Sequence, residues 1–169
     1  MSTRSNALSA TCSLLFLIML GATVRLQAQD LDVPPTLQAA IFKKVFAYVK
    51  IGTPKVTIVH SATGAKAKDD LLTQFKNVGL DVDALEEANA AKAEGNVVYL
   101  VPGVSASAAK KVAKKFVITC SKELITDGLA MMAIINAGGK PSLLANTTAI
   151  GSAGIEVDPQ LFRIASQVK

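Results

Sequence analysis

Tryptophan is absent from this chain of 169 residues, histidine occurs once and cysteine twice. These scarcities exclude a good deal. One histidine, His60, with scattered acids and two cysteines, offers no spacing for a zinc site, and no metal or cofactor is expected. The pairs Asp69-Asp70 and Glu86-Glu87 read as solvated helix faces. There is no Gly-x-Ser-x-Gly elbow for a nucleophile, and no glycine-rich loop with P-loop spacing. His60 stands beside Ser61 at a strand end, where a structural hydrogen bond accounts for it. The chain is therefore not expected to be an enzyme. A large excess of one charge is also missing: the formal net charge is +5. That is too weak an excess to argue for nucleic acid.

What the chain does have begins at its N-terminus. Arg4 precedes the apolar run 14–20, and Leu26-Gln27-Ala28 follows it with small or aliphatic residues at the positions a signal peptidase reads. The pattern predicts a secretory signal peptide over 1–29, cut near Ala28. A membrane span needs about 20 apolar residues, and the stretch from Ala10 to Val24 falls short and is interrupted by Thr11, Ser13, Gly21 and Thr23. The expectation is export to the periplasm without stable membrane insertion. Loss of Arg4 and Arg25 with the leader lowers the net charge to +3, and loss of Cys12 leaves only Cys120. No intramolecular disulfide can then form, so the fold must hold by burial. Cys120 closes the β-branched run 117–119 and reads as a small buried hydrophobe.

Residues 30–169 are expected to form one α/β domain. Helical spacing from Thr36 places Leu37, Ile41, Val45 and Tyr48 on one face, with Phe42, Phe46 and Val49 beside them. So wide an apolar surface implies cover on more than one side. Strands are predicted at 56–60, 97–101, 116–119 and 129–136. Helices are predicted at 67–77, 82–93, from Ser105 or Ser107 to Lys115, at 147–153 and at 158–168. The last would have Asp158 as cap and Pro159 at its first position. The turn 137–140 returns the chain into residues 141–146, a hairpin. Strands alternating with helices, then a hairpin, predict a three-layer sandwich with a mainly parallel sheet and a C-terminal antiparallel hairpin.

In a parallel sheet the loops after the first three strands open on one edge. This makes Ser61, Thr63, Lys66, Ser105, Ser121 and Lys122 candidate ligand-binding residues. Phe42, Phe46 and Tyr48 on the first helix are candidate partner-binding residues, with a homodimer as one outcome. Lys110, Lys111 and Lys114, with Lys115, would make a basic stripe for an anionic partner.

The C-terminal third carries a resemblance. Asp127-Gly128 opens an apolar strand, Gly138-Gly139-Lys140 turns it, and Leu143-Leu144-Ala145-Asn146 returns. The segment 152–165 follows, with Gly154, Ile155, Leu161, Arg163 and Ala165 on a recurrent pattern. Together with the opening helix 39–49, these residues resemble the YfiR family of small periplasmic proteins. The resemblance implies a regulator, not an enzyme, that restrains an inner-membrane diguanylate cyclase by binding its periplasmic sensor region. Cyclic-di-GMP and biofilm formation would then depend on it. Some relatives hold paired cysteines that are missing here. The alternative drawn from the residues alone is a small-ligand-binding module with its crevice at the strand ends.

Overall fold

The computed structural model describes residues 31–169. The expected signal peptide, with Cys12 and the expected cleavage near Ala28, lies outside the described residues. The elements run α1 (Pro35–Val45), β1 (Lys55–His60), α2 (Ala65–Asn77), β2 (Asp81–Glu86), β3 (Val97–Leu100), α3 (Ala106–Lys111), β4 (Phe116–Thr119), α4 (Lys122–Thr126), β5 (Met132–Ala137), β6 (Lys140–Asn146), α5 (Thr147–Ala153), α6 (Leu161–Ile164) and β7 (Ser166–Val168). Short 3-10 segments follow α1, β1 and β2. One seven-stranded sheet takes the order β2-β1-β3-β4-β5-β6-β7. β2, β1, β3, β4 and β5 run parallel, β5 and β6 are antiparallel, and β7 lies parallel to β6. This is the expected three-layer α/β sandwich with its hairpin.

The layers follow from strand order. The chain steps from β1 to β2 on one side, then back across to β3 on the other. Right-handed crossovers therefore place α2 on one face and the connections after β2 and β3 on the opposite face. On the first face Tyr99 of β3 is the hub. Phe42 of α1 and Phe75 of α2 meet its ring edge-on at 6.1 Å and 5.8 Å. Phe46 meets Phe116 of β4 in the same manner at 6.4 Å. Register gives Ile58, Tyr99 and Ile118 this same face, and all three are fully buried. The central strands β3 and β4 are buried on both faces, as continuous apolar runs in parallel sheets should be.

Several local expectations are corrected. Residues 82–93 are not a helix. Asp81–Glu86 is the edge strand β2, in full register with β1, and only the 3-10 segment Glu87–Lys92 follows. Helix-favouring Ala, Leu and Glu give way because β1 would otherwise present an unpaired edge. The closing helix 158–168 shrinks to the single turn α6, with Gln160 rather than Asp158 at the cap position. β7 then pairs with β6, Leu144 opposite Ser166 and Asn146 opposite Val168. Leu161 and Ala165 are buried, while Ile164 between them is 62% exposed, so the helical stripe is broken. β5 starts at Met132, because Leu129 and Ala130 donate their amides back to Leu124 O and close α4. α3 stops at Lys111.

The hairpin is built as its sequence demands. Gly138 and Gly139 take φ of +63° and +83°, the two left-handed residues of a type I′ turn. Ala137 faces Lys140 across it.

Candidate functional site

Parallel pairing of β1, β3 and β4 does bring the loops beginning at Ser61, Pro102 and Ser121 to one sheet edge. They do not make one crevice there. After β1, Ser61 is buried and its hydroxyl shares a 2.9 Å hydrogen bond with Thr63 Oγ1. Gly64 packs so closely on the end of β3 that a Cβ would come within 2.9 Å of Val101 Cγ1. After β3, Ser105 caps α3 by accepting from the Ala108 amide, and its own amide donates to Glu87 Oε2 at 2.8 Å. The join between β1 and β3, where strand order reverses, is thus packed by its own loops. Ser61, Thr63, Lys66 and Ser105 lie at the expected edge, outside the crevice described next.

The crevice lies two strands further on, between the end of β4 and the end of β5. It encloses about 420 Å³ and is lined by Asp32, Pro102, Cys120, Ser121, Lys122, Glu123, Ile135 and Asn136. Of the sequence candidates, Ser121 and Lys122 line it. Asp32, Glu123 and Asn136 were not foreseen. The cleft exists because β4 pairs with β5 only at Ile118–Met132 and Thr119–Ala133, while β5 continues to Ala137. Register of this kind leaves no mark in local sequence.

Side-chain bonds fix the β4 rim. Thr119 Oγ1 donates to Leu100 O at 2.7 Å and accepts from the Ser121 amide at 3.1 Å. Ser121 Oγ accepts from the Leu124 amide and donates to Glu123 Oε2 at 2.6 Å. The Ser121 hydrogen bond holds the Glu123 carboxyl below its ordinary pKa, so this group is anionic at neutral pH. Lys122 is exposed and forms no salt bridge among the described residues. The rim thus carries one cation and two acids, Asp32 and Glu123.

Behind the crevice sits a buried polar group. Tyr99 OH donates to Gln38 Oε1 at 2.5 Å, and Gln38 Nε2 donates to Val33 O at 2.7 Å. Gln38 is fully buried in α1, a position that helical spacing alone assigns to an apolar residue. The bonds tie the lead-in segment and α1 to the centre of the sheet. Cys120 lies against Tyr99 and Gln38, and burial pushes its thiol up to about 11. It is the inert buried cysteine expected from its setting. A carboxamidation experiment at pH 8 on the native chain, read on the Cys120 peptide by mass spectrometry, should run about 100-fold slower than after unfolding, because two pKa units remove that much thiolate. Ionisation also couples to stability. The unfolded chain releases this proton first as pH rises, so stability falls between about pH 9 and 11.

His60 is nearly buried, and its Nδ1 donates to the Ser61 carbonyl at 2.9 Å. This is the structural bond that its position suggested. Among the described residues no group of three His, Cys, Asp or Glu is placed to hold a metal ion.

The partner-binding candidates divide. Phe42 is fully buried and Phe46 is 5% exposed, so neither is available to a partner. Phe42 and Phe46 pack on Tyr99, Phe116 and the sheet, while Leu37 on the same helix stays 37% exposed. Tyr48 is half-buried, and its carbonyl accepts from the Asp158 amide. Lys110, Lys111 and Lys114 are exposed, but α3 ends at Lys111 and Lys115 donates to Gly95 O at 2.7 Å. They do not form one helical stripe. Lys114 instead borders a second groove of about 410 Å³, floored by Val117, Met131 and the α5 residues Ala149 and Ala153.

No family model matches this chain, and no curated protein does. Solved structures do. A conserved domain protein from Vibrio cholerae is similar with a TM-score of 0.62 at 15% identity, over 80% of this chain and 60% of that one. The ABC domain in complex with L-Trp from Streptococcus pneumonia is similar with a TM-score of 0.60 at 14% identity, again over 80% and 60%. The chain thus spans about three fifths of each. At such identities the likeness establishes a fold, the layered α/β sandwich.

Proposed function

We propose that this protein is a non-catalytic binding module of the periplasm that takes a small polar ligand in the crevice between β4 and β5. One observation carries the reading. The crevice opens at the carboxyl ends of parallel strands, the edge where α/β sheets place ligands, and Lys122, Glu123, Asp32 and Asn136 converge on it. Its volume of about 420 Å³ suits a molecule of amino-acid to dipeptide size. Charges of both signs on the rim favour a zwitterion. The similar domain solved with L-Trp supports ligand binding on this fold, and the export signal at 1–29 supports the compartment.

A second reading is favoured by where the YfiR-like positions fall. Asn146 is buried, donates to Ile125 O and caps α5 by accepting from the Ala149 amide, each at 2.8–2.9 Å. Gly154 ends that helix in the left-handed conformation, and Leu161 is fully buried. Three of the residues that carry the resemblance, Asn146, Gly154 and Leu161, thus set the fold, which suits a regulator of YfiR type restraining an inner-membrane cyclase through its sensor region.

Calorimetric titration with amino acids and dipeptides, paired with crosslinking in the native envelope, tests both. Saturable binding lost at least tenfold in Lys122→Ala, about 1.4 kcal/mol, supports the module. Crosslinking to an inner-membrane sensor without such binding supports the regulator. Absence of both results removes both readings.

A further inference from the structure

We infer that the crevice accepts an extended peptide segment, bearing an acidic side chain, which adds as a strand to the free edge of β5. The inference deepens the binding reading above and rests on it.

The backbone of β5 sets the chemistry. Across the two-residue turn, Ala137 and Lys140 form the closing hydrogen-bonded pair, so hydrogen-bonded and non-hydrogen-bonded pairs alternate from there. Asn136 faces Pro141, which has no N–H to give, and this agrees with a non-hydrogen-bonded pair. The N–H and C=O of Asn136 therefore point away from β6, toward the side on which β4 lies. No β4 residue is in register beyond Thr119, where the chain turns into α4. Four residues, Ile134 to Ala137, thus extend past the last paired position; Ile134 is fully buried, so the open edge runs from Ile135 to Ala137, about 10 Å at 3.3 Å per residue.

Folded proteins usually blunt such an edge with lysine, proline or a bulge. Ile134-Ile135-Asn136-Ala137 has none of these, and Pro141 and Lys140 sit on the opposite strand of the hairpin. The crevice keeps the edge open, with Ile135 and Asn136 as one wall and Ser121 to Glu123 as the other. Donors and acceptors repeating at strand spacing match another peptide backbone, the mode by which extended peptides add to sheets. Lys122, which forms no salt bridge among the described residues, supplies the complement for a single acidic side chain on the facing wall, while Asp32 and Glu123 on the same rim disfavour a second.

Amide hydrogen exchange by NMR on the purified protein tests this, with the capped tripeptide valine–glutamate–valine as the probe. Binding should slow exchange at the Asn136 amide by about tenfold or more. The Ile135 amide, already bonded to β6, should not change. Lys122→Glu should weaken this tripeptide about tenfold and favour capped valine–lysine–valine instead. This charge swap leaves the hairpin intact. Asn136→Pro should abolish binding, while Asn136→Ala keeps it. Free amino acids that bind through Lys122 without peptide binding would overturn strand addition and leave the small-ligand reading standing. If neither free amino acids nor the tripeptides bind, both fall.

Discussion

Phe42→Ala should lower the unfolding free energy by about 3–5 kcal/mol, the cost of removing a buried aromatic ring and leaving its cavity. Phe42 is fully buried, stacks on Phe46 at 6.4 Å and meets the edge of Tyr99. It joins α1 to the middle of the sheet beside the Gln38–Tyr99 hydrogen bond, so the neighbouring polar group hinders collapse of the cavity. Urea unfolding of the two chains measures the loss, and sedimentation checks association. Helical periodicity placed Phe42 on a candidate dimer surface. A dimer residue would shift the sedimentation coefficient and leave monomer stability within about 1 kcal/mol. That outcome would sink the assignment of Phe42 to the core.

Gly95→Ala should destabilise by about 3 kcal/mol, at the upper end for overpacking. A Cβ on Gly95 would sit 2.4 Å from Lys55 O and 2.9 Å from Thr57 N, both backbone atoms of β1. Backbone of a strand paired on both sides cannot step aside as a flexible side chain would. The Gly95 amide also donates to Thr57 Oγ1, a buried bond that the displacement would break. Gly151→Ala is the matched control. It lies inside α5 with nothing within 4 Å of its Cβ position, so alanine there should stabilise by about 0.5–1 kcal/mol. Thermal unfolding of both variants should move in opposite directions. Equal shifts would mean that helix propensity, not the contact with β1, governs the Gly95 effect.

These two positions differ in how they could be read. Phe42 is visible in the sequence as part of a wide apolar helix that implies cover on more than one side, and only the structure shows that Tyr99 is opposite it. Gly95 has no local signature, because what makes it glycine is a strand forty residues earlier. The same division runs through the site. Ser121 and Lys122 were reachable, since they follow an unmistakable β-branched strand in a parallel sheet. Asp32 and Asn136 were not, since they reach the crevice from the lead-in segment and from a hairpin whose overhang depends on register. Gln38 was missed for another reason. A polar residue at a core position becomes legible only once Tyr99 is known to stand opposite it.

By itself the sequence determined the layered α/β class, the parallel central strands, the glycine turn and the buried cysteine. These follow from periodicity, composition and turn chemistry, which act within a few residues. Tertiary structure alone decided that 81–86 and 166–168 are edge strands, that Tyr99 and the sheet are what cover Phe42, and that the crevice lies between β4 and β5. Each of these depends on pairing between segments far apart in the chain. There an unpaired strand edge or an uncovered ring outweighs the few tenths of a kcal/mol per residue that local propensity supplies.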